Sequence, residues 1–146
     1  MNEARLSSEN LHASTVAING RAVLITGPSG SGKSDLALRM LDRGFALVSD
    51  DRTIVRKEGA RLLASAPETI KGKLEVRGVG IVEMDHLADV PVALAVDLTV
   101  DIQRLPDDSR ERLILGTGIP LISVDAMTAS APSKVALALD RLGLKF

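Results

Sequence analysis

Residues Leu24–Leu41 read LITGPSGSGKSDLALRML, and they fit G-x-x-x-x-G-K-S/T with Gly27, Gly32, Lys33 and Ser34 at the fixed positions. An apolar β-like run, Ala22 to Thr26, precedes the loop. Behind it Leu36, Ala37, Met40 and Leu41 recur at helical spacing, which predicts a helix from about Ser34 to Arg43 with Gly44 as its stop. Strand, glycine-rich loop and helix in that order make a phosphate-binding loop. Its glycines let the backbone curl so that N–H groups converge on anionic oxygens at a helix N-terminus. Gly27, Pro28, Ser29, Gly30, Ser31, Gly32, Lys33 and Ser34 are therefore the expected nucleotide-binding residues. Lys33 is placed to reach the β- and γ-phosphates, and the Ser34 hydroxyl to ligate Mg²⁺.

Working outward, STVAINGRAVLIT is two apolar runs around Asn19-Gly20, a strong hairpin signal. A two-residue turn there pairs Ile18 with Arg21, Val16 with Val23 and Ala13 with Thr26, and brings His12 opposite Gly27. One of only two histidines is thereby delivered to the phosphate loop. Further on, FALVSDD reads as a short buried strand ending in two carboxylates, and RTIVRKEGARLLASAP as a hairpin turning at Glu58-Gly59. LEVRGVGIVEM alternates like a strand that its glycines weaken, VPVALAVDLTV and IPLISVD are apolar strands, and Ala131 to Leu142 is a helix with Leu137, Leu139 and Leu142 partly inward. Residues 1–10 are polar and expected to be loose. Alternating strands and helices interrupted by two hairpins predict one α/β domain over residues 1–146 with a mixed sheet.

Composition narrows the partners. Eighteen basic and 19 acidic side chains leave a net charge of −1, which offers no basic field to a nucleic acid. No cysteine is available for disulfides or thiolate metal sites, which by itself fixes no compartment. No apolar run approaches a membrane span and no signal-peptide pattern opens the chain, so a cytoplasmic enzyme is the default expectation. Two Phe and no Trp or Tyr leave almost nothing aromatic to stack on a base, so an adenine would rest on apolar side chains and backbone.

Four acids compete for the chemistry. Asp50 and Asp51 end the strand that follows the loop's helix, and a right-handed crossover lays that strand parallel to Ala22–Thr26 with its acidic end beside the phosphates. Asp97 and Asp125 also terminate apolar strands, and sequence alone does not choose among the four. Glu75 and Arg77, two residues apart, share one face of an extended segment, presenting a carboxylate for Mg²⁺ and a guanidinium for phosphate oxygens.

Together, GPSGSGKSDLAL, RGFALVSDDR, EVRGVGI and a histidine 21 residues before the loop lysine resemble the catalytic domain of HPr kinase/phosphorylase over residues 11–85. That bacterial enzyme phosphorylates a serine of the phosphocarrier protein HPr. The resemblance implies an α/β P-loop fold related to phosphoenolpyruvate carboxykinase, ATP and Mg²⁺ as cofactors, an HPr-like protein as substrate, and a homo-oligomer, a hexamer in the family. It assigns Lys33 to the transferred phosphoryl group, Ser34 and Glu75 to the metal, Asp51 to acid/base work with Asp50 beside it, and His12 to the active site. Arg104, in DIQRLPDD, matches a catalytic arginine that the family carries in a Tyr-Asp-Arg-Leu-like context, with the tyrosine replaced here. Two departures stand out. Family members usually carry a separate N-terminal domain, whereas this chain opens almost directly on the catalytic one. Their Pro-Gly-Arg-Asn-like loop, used in dephosphorylation, corresponds to VDAMTASAPSK, where Lys134 is the only cation. The competing readings are a small-molecule P-loop kinase, for which DDSRER is the nearest lid-like cluster, and a nucleotide-binding regulatory module with no phosphoacceptor.

Overall fold

A computed structural model describes residues 7–102 and 110–146. Its strands are β1 (Ser8–Leu11), β2 (Ala13–Ile18), β3 (Arg21–Thr26), β4 (Ala46–Ser49), β5 (Thr53–Glu58), β6 (Arg61–Ser65), β7 (Lys73–Val76), β8 (Gly80–Glu83), β9 (Val90–Leu98), β10 (Glu111–Ile114) and β11 (Thr117–Val124). Among the described residues there are also two α-helices, α1 (Lys33–Leu41) and α2 (Ala131–Leu142), and one short 3₁₀ turn at Glu68–Ile70.

The hairpin at Asn19-Gly20 is the local origin of the site. Both turn residues have positive φ, 54° and 74°, as a type I′ turn requires, and only a residue tolerant of the left-handed region fits there. The register that follows pairs Ile18 with Arg21, Val16 with Val23 and Ala13 with Thr26, as the sequence predicts. β3 then runs parallel to β9, and β9 parallel to β11, while the remaining pairings of the large sheet are antiparallel. The sheet is mixed, in the order β1-β5-β6-β9-β3-β2-β4, and it forks at β9. The N-terminal end of β9 pairs with β6 at Val90 and Pro91, and its C-terminal half pairs with β11 over Ala95–Leu98.

Alternation along the central strands fills two cores. On one face Val23, Ile25, Val96, Leu98, Ile122 and Val124 pack against Leu36, Met40, Val135 and Leu139 of the helices. On the other, Leu24, Ala95, Val48, Val55, Leu62 and Ile119 pack together as the strands curl over one another. Aliphatic burial of this kind stabilises by about 25 cal/mol per Å² of apolar surface.

Several expectations need correction. Residues 8–11 are not loose: they form β1, an exposed edge strand on β5 anchored by buried Leu11. β4 is parallel in sense to β3 but not its neighbour, because β2 folds back between them and pairs with both. The second hairpin turns at Gly59 and Ala60, since Glu58 pairs with Arg61. LEVRGVGIVEM is a separate hairpin, β7–β8, broken by a turn over 77–79. In α2 Leu139 is buried and Leu142 only partly exposed, but Leu137 is 60% exposed and Val135 takes an inward place. No helix among the described residues is long and apolar enough to cross a membrane.

Candidate active site

The loop between β3 and α1 is shaped by Gly32, whose φ of +100° turns the chain into the helix. The conformation favours glycine, and a methyl group there would also sit tightly against Ala126 Cβ at 3.2 Å. Ser31 N–H donates to Pro28 O at 3.0 Å and closes the loop on itself. Lys33 is only 6% exposed, and its Nζ donates to the carbonyls of Gly27 (3.0 Å) and Pro28 (3.2 Å). Among the described residues no carboxylate pairs with it. A buried ammonium satisfied only by carbonyl dipoles is an electropositive floor suited to an anion. Ser31 Oγ is likewise buried in the loop, with no hydrogen-bond partner among the described residues.

The acids that follow β4 lie beside this loop, two strands from β3. Asp50 is buried, and its carboxylate is fully engaged. Oδ1 accepts the hydroxyls of Ser14 (2.9 Å) and Ser34 (2.6 Å), and Oδ2 accepts the Glu75 N–H (3.1 Å). Asp51 points the opposite way, into solvent, and its Oδ1 accepts a hydrogen bond from His12 Nε2 at 2.8 Å. The pairing follows from the hairpin register, which carries His12 to the loop end of β2. Asp51 adopts φ 68°, a left-handed conformation that asparagine and aspartate tolerate better than other side chains. The turn holds it there: Arg52 N–H donates to Asp50 O at 2.7 Å, Ser49 Oγ to Arg52 O, and Asp51 N–H to Ser14 Oγ at 3.0 Å. Backbone held in a sparsely populated region is characteristic of functional sites.

A cleft of about 790 Å³ opens over the loop. Its walls include Lys33, Ser34 and Asp51 on one side and the β7–β8 hairpin, with Glu75 and Arg77, on the other. Glu75 lies in β7 and Arg77 in the turn, so they do not share a strand face, yet both border the cleft. Asp97 and Asp125 do not. They line a second cavity of about 750 Å³ beyond β9 and β11, together with Arg110 and Lys134. Asp125 Oδ1 there accepts the Met127 N–H at 2.9 Å and shapes a turn. Lys134, the one cation of VDAMTASAPSK, belongs to this second cavity rather than to the loop cleft. Arg104 lies outside the described residues.

One participant escaped the sequence reading. Ser14 is fully buried, donates to Asp50 and accepts the amide of Asp51, so a single hydroxyl ties the two adjacent acids together. The available signal was a run of hydroxyls, Ser14 and Thr15, in a strand otherwise apolar and adjoining the loop. Thr15 turns to the Thr53 hydroxyl at 2.8 Å and leaves Ser14 to the acids.

These features define a phosphate-loop domain on a mixed α/β sheet, with a histidine–aspartate pair at the mouth of the loop. The family model described as HPr Serine kinase C-terminal domain matches residues 4–138, and the chain belongs to that family. The HPr kinase/phosphorylase of Limosilactobacillus reuteri (strain DSM 20016) is 38% identical over 133 residues, covering 82% of this chain and 42% of the relative. That of Latilactobacillus sakei subsp. sakei (strain 23K) is 37% identical over 128 residues, covering 79% and 41%. The chain thus spans about two fifths of the length of the curated relatives it matches. The solved HPr(Ser) kinase/phosphatase from Coxiella burnetii superposes with a TM-score of 0.79 at 27% identity, over 90% of this chain and 88% of that one. The family expected from the loop, the SDDR turn and EVRGVGI is the family found.

Proposed function

We propose that this chain is an ATP-dependent protein-serine kinase acting on an HPr-like phosphocarrier protein. The observation that carries the reading is that the buried Lys33 ammonium and the exposed Asp51 carboxylate, itself bonded to His12, open onto one cleft. The names of the relatives supply the acceptor class.

In this mechanism the loop amides and Lys33 hold the nucleotide's phosphates. Asp51 accepts the proton of the incoming serine hydroxyl as the serine oxygen bonds to the γ-phosphorus and the bond to the β–γ bridging oxygen breaks, releasing ADP. His12 holds the Asp51 carboxylate facing the acceptor. Positioning and electrostatic stabilisation do most of the catalysis, because little covalent chemistry falls to the protein. The donors beside the loop suit Mg²⁺, which keeps several waters and takes one or two carboxylates plus phosphate oxygens. Ser34, with Asp50 behind it and Glu75 across the cleft, would hold the ion, which neutralises charge on the phosphates when bound.

The test is transfer from γ-labelled ATP to HPr-like carrier proteins. Label on a carrier serine is the expected result, and label on small molecules alone, or none, defeats the reading. With inorganic phosphate and phosphoserine carrier, pyrophosphate release should be weak, because Lys134 stands in the second cavity and not beside the phosphate loop. Release at a rate comparable to the kinase would overturn that expectation.

Ser14→Ala tests the support of the acids. It leaves the Asp51 amide without its partner and removes one donor from Asp50, a loss of about 1–3 kcal/mol in thermal or denaturant unfolding. Misplacement of Asp51 should lower kcat about tenfold or more while nucleotide affinity stays close to wild type. Unchanged kcat and stability would show that the hydroxyl is dispensable.

A further inference from the structure

The phosphate loop sits on the middle strand of the series β4-β2-β3-β9-β11. The acids follow β4 on one flank, and the turn 125–128 follows β11 on the other. A nucleotide whose γ-phosphate points toward Asp51 therefore has its nucleoside directed toward that turn. Met127 is the residue standing there. It is 73% exposed and borders the loop cleft with Asp35 and Leu38 of α1. Its Cε lies 3.5 Å from where a methyl group on Gly32 would be.

We infer that Met127, with Leu38, forms the ledge on which the purine base of the nucleotide rests. This rests on the kinase reading above and adds the subsite that it leaves open. Neither phenylalanine can serve: Phe45 is buried in the core, and Phe146 lies under the Arg61 guanidinium. A thioether is a good substitute, since sulfur is polarizable and packs favourably against aromatic rings. The ledge is also fixed in place. Arg39 of α1 donates to the carbonyls of Ala126 and Thr128, and Asp125 accepts the Met127 amide, so the turn is pinned to the helix that begins at the phosphate loop. A large apolar side chain held at a cleft wall and left open to water is one prepared for an apolar ring face.

The experiment compares binding of ATP with binding of inorganic tripolyphosphate, both with Mg²⁺, to wild type, Met127→Ala and Met127→Leu. Because Met127 is exposed, the substitutions leave the core intact, and a thermal melt confirms it. Met127→Ala should weaken ATP about three- to tenfold and leave tripolyphosphate unchanged, while Met127→Leu keeps most of the ATP affinity. ATP affinity in Met127→Ala within twofold of wild type overturns the ledge and leaves the kinase reading standing. Equal weakening of both ligands also overturns it, since the effect would then lie at the phosphates. A folded wild type that binds neither ligand removes the nucleotide reading and the ledge with it.

Discussion

Lys33→Ala should abolish phosphotransfer almost completely, with a rate loss on the order of 10³-fold or more, by analogy with other charged clamps on the transferring phosphoryl group. The argument is electrostatic. Lys33 is buried at the floor of the loop and, among the described residues, is balanced only by the carbonyls of Gly27 and Pro28. Those dipoles orient the ammonium without neutralising it, so its full charge is available to phosphate oxygens. Alanine removes the only side-chain cation within the loop itself. The amides remain, so some ATP binding should persist while single-turnover transfer from labelled ATP fails. A near-normal transfer rate would remove the phosphate loop from the mechanism.

How far the sequence disclosed this site can be traced residue by residue. The phosphate loop was legible because its glycines, lysine and serine have local meaning and its flanking strand and helix are periodic. The position of His12 was legible for a different reason: Asn19-Gly20 dictates a two-residue turn, and the turn fixes every pairing down to the loop. The four competing acids were not separable. Which strand end lies beside the loop depends on strand order, and the insertion of β2 between β3 and β4 is a tertiary choice that periodicity does not encode. The structure places Asp50 and Asp51 beside the loop and sends Asp97 and Asp125 to another cavity. Similarly, EVRGVGI reads as one strand until Gly78 and Gly80 are allowed to turn it back, which lifts Arg77 off the face of Glu75. The edge strand β1 was hidden because three of its four side chains are polar and exposed.

Asp51→Asn should abolish serine phosphorylation while nucleotide binding survives, with a loss of about 10²–10⁴-fold, as expected for removal of a general base. Asparagine suits this position unusually well. It tolerates φ 68°, and its side-chain oxygen can still accept the His12 hydrogen bond, so the turn and the pair keep their geometry while basicity disappears. Asp50→Asn is the informative contrast. Both oxygens of Asp50 accept hydrogen bonds, from Ser14 and Ser34 on one side and from the Glu75 amide on the other. An asparagine NH₂ either faces the Glu75 N–H, donor against donor, or turns the Ser14 and Ser34 hydroxyls from donors into acceptors, so that variant should lose stability and nucleotide affinity together with activity. Asp97→Asn and Asp125→Asn, away from the cleft, should cost far less. The measurements are kcat with an HPr-like acceptor, ATP affinity and thermal unfolding on all four variants. An active Asp51→Asn beside an inactive Asp97→Asn would move the chemistry to the second cavity and refute the base assigned here. The predicted split, binding retained in one aspartate variant and lost in its neighbour, arises because adjacent residues face opposite directions, one toward the acceptor and one toward the serine of the phosphate loop.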